Sequence, residues 1–155
     1  MSDICDHKSV GMIIRRNGKF LLLERRKPPF GFAPPAGHLD GDVYENSAAR
    51  ETFEEVGLRT TKIKLITEGR KNNRCRREDG EWHYWKIYEL ETVGEILRSE
   101  DETKQAGWFD IDQIKEMAEK TKRYLLGIIP EEQWQQAPGL EPVWLEWFEE
   151  LGILA

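Results

Sequence analysis

The chain has 155 residues, 34% of them charged, and a formal net charge of −6. That length suits one domain, taken as residues 1–155, with a sizeable core, and the negative balance argues against nucleic-acid binding by bulk electrostatics while leaving room for a local basic patch. Two cysteines far apart in sequence, Cys5 and Cys75, make no disulfide framework, and with no signal-like start and no apolar run long enough to span a bilayer the expected location is the cytoplasm.

Residues 1–7 read as a loose tail. Cys5-Asp6-His7 has the composition of a metal-ligand fragment, but no second Cys/His cluster completes it, so the expectation is a surface segment. Residues 9–15 and 19–25 are apolar, β-rich runs around Asn17-Gly18, a strong hairpin signal. Leu21-Leu22-Leu23 is continuous, as in a strand buried on both faces, and Arg25-Arg26-Lys27 ends it with three positive charges. Pro28, Pro29, Pro34 and Pro35 stiffen the approach to Gly37. His38 is expected to satisfy local loop groups.

Residues 37–58, GHLDGDVYENSAARETFEEVGL, organise the rest. At about 100° per residue, Glu51, Glu54 and Glu55 share one helical arc, while Ala49, Thr52, Phe53 and Val56 cover the opposite arc and are expected to face a core. Asp42 with Glu45 reads as a capping box, and Gly57 as the stop. Like charges at i,i+4 cost roughly 0.2–0.5 kcal/mol per pair. A cation would remove that cost, and oxygen-only ligands favour hard ions such as Mg²⁺ or Mn²⁺.

This segment resembles the box of the Nudix (MutT-type) hydrolase family. Arg50, Glu51, Glu54, Glu55, Gly57 and Leu58 match in register. Asp42 stands where the family has Glu, the loop from Gly37 is one residue shorter, and Thr52 replaces an apolar residue. The resemblance implies an α/β/α sandwich with a mixed β-sheet and a loop-helix-loop catalytic box, and Mg²⁺-dependent (Mn²⁺ able to substitute) hydrolysis of a nucleoside diphosphate linked to another group. It implies metal contacts from Glu51, Glu54, Glu55 and the Gly37 carbonyl, and a phosphate contact from one of Arg25 or Arg26. Arg50, four residues before Glu54, is read as positioning the carboxylates.

Beyond the box, residues 60–69 and 81–91 read as strands. Between them, Arg70, Lys71, Arg74, Arg76 and Arg77 crowd a hairpin tip. The tip is either a solubilising surface or a lip over substrate phosphates, for which Arg74, Arg76 and Arg77 carry the suited planar fork. Trp82, Tyr84 and Trp85 are core residues or a stacking surface for a base. Residues 92–106 read as a loop, within which the resemblance makes Glu102 a further catalytic candidate, with Glu100 and Asp101 as close alternatives; Glu51 or Glu102 is the candidate base. A helix over 111–120 capped by Asp110 or Asp112, a buried run at 125–129, a short helix after Pro130 and a last helix from Pro142, with an apolar stripe for the core or a second copy, complete the chain.

The resemblance leaves a nucleoside triphosphate, a modified nucleotide or a 5′-phosphorylated RNA end as substrate. A homodimer is left open, and a membrane partner is not expected. The competing reading is a nucleotide- or RNA-binding regulatory module of the same fold without turnover.

Overall fold

The computed structural model describes residues 4–154. Strands β1 (Lys8–Arg16) and β2 (Lys19–Arg25) form the expected hairpin. Asn17 and Gly18 both take positive φ, as a tight two-residue turn requires. The chain continues through β3 (Phe32–Ala33), β4 (Ala36–His38), α1 (Tyr44–Val56), β5 (Arg59–Lys71), β6 (His83–Val93) and β7 (Thr103–Phe109). Helices α2 (Ile111–Leu125), α3 (Glu131–Gln136) and α4 (Pro142–Glu150) follow. The sheet runs β3-β2-β1-β6-β5, with β4 on β1 and β7 on β2. Among the strand pairings of the described residues, β1–β6 is parallel and the others are antiparallel, so the sheet is mixed.

Period-two alternation divides the strands between two cores. Val10, Met12 and Ile14 of β1, with Leu21 and Leu23 of β2, pack toward Ala48 and Val56 of α1. Ile13, Phe20 and Leu22 face the other way, toward Ile114 of α2 and Val143, Trp144, Trp147 and Phe148 of α4. The continuous Leu21-Leu22-Leu23 run is therefore buried on both faces, and helices cover both sides of the sheet, an α/β/α sandwich. Each large apolar side chain fully buried this way contributes about 1.5–3 kcal/mol. Gly11 fits because a Cβ there would lie 2.4 Å from Trp144 Cη2.

Several elements differ from expectation. Residues 4–7 are tied down: Cys5 is buried, and its N–H donates to the Glu78 carbonyl at 2.8 Å; the first three residues of the expected tail lie outside the described residues. α1 has no capping box. Its N-cap is Val43, with no side-chain cap; the Asp42 carboxylate is drawn to Arg50 and Glu45 accepts from the Tyr88 hydroxyl. β7 begins at Thr103, inside the expected loop, because its register on β2 supplies pairing that the polar sequence does not advertise. The 125–129 run is mostly exposed, with only Ile129 buried. α2 ends there and Gly127 turns at φ 79, so the chain crosses the surface. The α4 stripe is buried against the sheet. No helix among the described residues is long and apolar enough to cross a membrane.

Candidate functional site

α1 carries its three glutamates to different depths. Its inward face is Ser47, Ala48, Thr52, Glu55 and Val56. Glu55 thus lies on the core side, and Phe53, expected there, is 54% exposed. Thr52 is tolerated because its hydroxyl donates to the Ala48 carbonyl at 2.8 Å, leaving no unpaired polar group. Glu55 Oε1 accepts from the Ala36 N–H at 2.9 Å. Burial pushes its pKa well above the usual carboxylate range, and the neighbouring Glu51 charge adds to this. Glu51 is pushed up to about 7, first by burial and then by Glu54, with Arg50 opposing and Glu102 adding. Gly37 lets the β4 backbone come close: a Cβ there would sit 2.4 Å from Glu51 Cδ.

Arg50 holds the set together. Its guanidinium reaches Asp42 at 2.6 Å, Glu51 at 3.6 Å and Glu54 at 3.9 Å. Two crowded carboxylates, one buried outright, make an all-oxygen donor set short of positive charge. This chemistry fits a hard divalent cation.

The carboxylates form one wall of a cleft of about 240 Å³, into which Glu102 also faces. The same cleft is lined by basic side chains, Arg25, Lys27, Arg74, Arg76 and Arg77. Arg25 is held 3.6 Å from the buried Glu141. Arg26 is not part of the lining. It braces the loop before β7, donating from Nε to the Glu100 carbonyl at 2.9 Å and from its backbone N–H to the Glu102 carbonyl at 3.0 Å. Of the two basic candidates at the end of β2, the structure therefore brings only Arg25 to the cleft, while Arg26, just past the strand, is held by the loop carbonyls. Arg77 makes a two-pronged pair with Asp40, folding the 72–82 loop onto the box loop. Trp82 stacks on His7 with 4.0 Å between centroids, and Tyr84 donates to Glu68. Of the three aromatics only Trp85 lines the cleft, with its Nε1 donating to Asn73 at 3.0 Å.

The family model for the NUDIX domain matches residues 6–127. The chain belongs to the Nudix family. An ADP-ribose pyrophosphatase of Methanocaldococcus jannaschii is 32% identical over 114 residues, covering 71% of this chain and 65% of that protein. An NAD-capped RNA hydrolase NudC of Chromobacterium violaceum is 30% identical over 112 residues, covering 66% of this chain and 38% of that protein. The chain thus spans less than two thirds of either relative's length. Among solved structures, a MutT NUDIX hydrolase from Burkholderia pseudomallei superimposes with TM-score 0.60 at 25% identity, covering 68% of this chain and 84% of that one.

The departures from the Nudix box now have physical accounts. The shortened loop still delivers the Asp42 carboxylate to Arg50, and Thr52 satisfies itself within α1.

The raised Glu51 carboxyl has a consequence for stability. Its folded pKa of about 7 lies above the ordinary 4.5, so the folded state holds the proton more tightly than the unfolded chain. Stability from this group is present at low pH and is lost as pH rises from about 4.5 through about 7, on the order of 3 kcal/mol at most. His38, held down to about 4 by burial and then by Arg77, titrates in the opposite sense. The Glu51 contribution is therefore read as a difference. In urea denaturation without divalent ions, Glu51→Gln should gain on wild type steadily between pH 5 and pH 8, and Mg²⁺ at pH 8 should close the gap. A constant difference across that range would contradict the assignment.

The sequence reading missed Glu141, Asp40 and His83, and it placed Cys5 in a tail. Strand register is what assembles them. His38 pairs with Ser9 across β4–β1, and Trp85 pairs with the same Ser9 across β1–β6. That brings His83 beside the N-terminal segment, with ring centroids of His38 and His83 5.3 Å apart.

Proposed function

We propose that this protein hydrolyses a pyrophosphate linkage in a nucleoside-diphosphate-linked small molecule, with Mg²⁺ or Mn²⁺ held by Glu51, Glu54, Glu55 and the Gly37 carbonyl. The observation that carries this reading is the buried, charge-deficient carboxylate set sharing one cleft with a group of basic side chains. A divalent ion bound there neutralises phosphate charge and lowers the pKa of a bound water.

The residues themselves do the rest. Arg25, Lys27, Arg74 and Arg76, which line the same cleft, offer cations to the phosphates. Arg50 keeps Glu51 and Glu54 in position by pairing with both. Glu51 or Glu102, both lining the cleft, accepts the proton of the attacking water. Water oxygen bonds to one phosphorus as the bridging P–O bond breaks, and the leaving phosphate takes the bridging oxygen. Arg77 keeps the loop closed through Asp40.

The Asp42–Arg50 pair supports turnover over the reading of a binding module without hydrolysis, because the altered loop still supplies the contact that orders the carboxylates. The names of the two curated relatives direct the substrate search toward ADP-ribose and NAD-capped RNA, beside nucleoside triphosphates and other 5′-phosphorylated RNA ends. The deciding experiment is a panel of these compounds with Mg²⁺ or Mn²⁺, resolving phosphate, pyrophosphate and nucleoside monophosphate products, alongside calorimetry on the same compounds. Tight binding with no product from any of them would replace the enzyme with the module.

A further inference from the structure

A second cluster of ligating side chains lies beside the carboxylate site and shares no residue with it. The ligand atoms of Cys5, His38, Cys75 and His83 all lie within 4.8 Å of one another. Cys5 Sγ is 3.5 Å from His38 Nε2 and 3.2 Å from His83 Nε2. A tetrahedral zinc ion, with bonds of about 2.3 Å to sulfur and about 2.0–2.1 Å to nitrogen, sets sulfur and nitrogen ligands about 3.6 Å apart. We propose that these four residues bind one zinc-class ion in a closed Cys₂His₂ site that clamps the N-terminal segment and the 72–82 loop to β4.

The backbone around both sulfurs is built alike. The His7 N–H donates to Cys5 Sγ at 3.3 Å, and the Arg77 N–H donates to Cys75 Sγ at 3.4 Å. In each case the donor is two residues after the cysteine, and such bonds favour the thiolate that a metal requires. Gly80 lets its turn wrap the second sulfur, since a Cβ there would lie 2.2 Å from Cys75 Sγ. The turn is closed by Cys75 N–H to the Gly80 carbonyl at 2.8 Å. Cys5 and His83 are buried at 4% and 1% exposure.

His83 Nδ1 is also buried. The Asn73 backbone acts on the ring but does not complete a hydrogen bond to this nitrogen. Burying an imidazole so poorly partnered is costly unless Nε2 makes a strong bond. Sulfur and imidazole donors select zinc over the hard ions suited to the glutamates, and four protein ligands leave no open position for chemistry. The role is structural. Cys75 sits between Arg74 and Arg76, and His38 follows Gly37, so the clamp would fix the basic lip relative to the box.

The test is metal analysis of the full chain purified without chelator. We expect about one zinc per chain, retained in Glu55→Gln and lost in Cys5→Ser/Cys75→Ser and in His38→Gln. Titrating metal-stripped protein with Co²⁺ should give the thiolate charge-transfer and tetrahedral ligand-field bands, with proton release. Hydrogen exchange should rise in residues 72–82 when the metal is stripped. Should the double-cysteine variant not fold, His38→Gln and the Co²⁺ spectrum of wild type still decide. The proposal is overturned if metal-stripped wild type binds neither Zn²⁺ nor Co²⁺ with sulfur ligation. It is also overturned if Cys5 and Cys75 are recovered as a disulfide from freshly purified protein, or if zinc persists in the variants.

Discussion

Glu55→Gln is expected to lower kcat by about 10- to 100-fold while making the metal-free protein more stable. The two effects share one cause. Glu55 is buried, and burial, followed by the charge of Glu51, pushes its pKa well above the usual range. Glutamine keeps the shape and the carbonyl that accepts from the Ala36 N–H, but it removes the charge whose burial is costly. What it cannot replace is an anionic oxygen for a divalent ion, and losses around metal sites run at the size quoted. The stability gain should be present near neutral pH, where an unprotonated Glu55 is most unfavourable, and should vanish in acid, where wild type is protonated. Urea midpoints with and without Mg²⁺, paired with turnover at saturating substrate and limiting Mg²⁺, read both halves. Wild-type kcat in this variant would remove the carboxylate set from the mechanism. A loss of stability would instead mean that the charged form is compensated inside the protein.

How far the sequence reaches into this structure depends on the range of the interaction involved. The β1–β2 hairpin is local: Asn17-Gly18 sets the turn and the flanking apolar runs set the strands, so it is legible directly. The box helix is legible for the same reason, and its stop at Gly57 takes the left-handed cap. What periodicity could not settle is which face turns inward. Three glutamates on one arc read as the face turned away from the core, yet β4 closes over that arc and buries Glu55 while Phe53 is left outside. Burial here is decided by a strand that pairs with β1 some 27 residues away in sequence, Ser9 with His38 and Gly11 with Ala36. The Cys/His cluster was invisible for the same reason, since its members come together through β1–β4 and β1–β6 pairing. Arg25 and Arg26 illustrate the complementary limit. The family resemblance offers either one as the phosphate contact, and only the folded chain sends one to the cleft and the other to the Glu100 and Thr103 carbonyls.

Replacing Arg74 and Arg76 together by alanine should raise KM about five- to tenfold at low salt, with kcat changed by less than about twofold. Exposed charged contacts contribute roughly 0.5–0.7 kcal/mol each, and this variant removes two. Both side chains line the cleft and are exposed, and Arg74 is engaged only loosely, 3.9 Å from Glu81. Their loss leaves the loop itself in place, because Arg77 stays paired with Asp40. A rise in KM at constant kcat is the signature of binding shared equally by ground state and transition state. The effect should shrink as salt shortens the screening length to below about 10 Å, and it should be larger for a 5′-triphosphorylated oligonucleotide than for a mononucleotide, since each further phosphate contact adds salt-sensitive affinity. Arg77→Ala is the control that separates charge from position. It removes the Asp40 tie between the 72–82 loop and the box loop, so kcat should fall as well as KM rise. Wild-type KM for every active substrate in the Arg74→Ala/Arg76→Ala variant at low salt would make the tip a solubilising surface, and would leave Arg25 and Lys27 as the phosphate-binding wall.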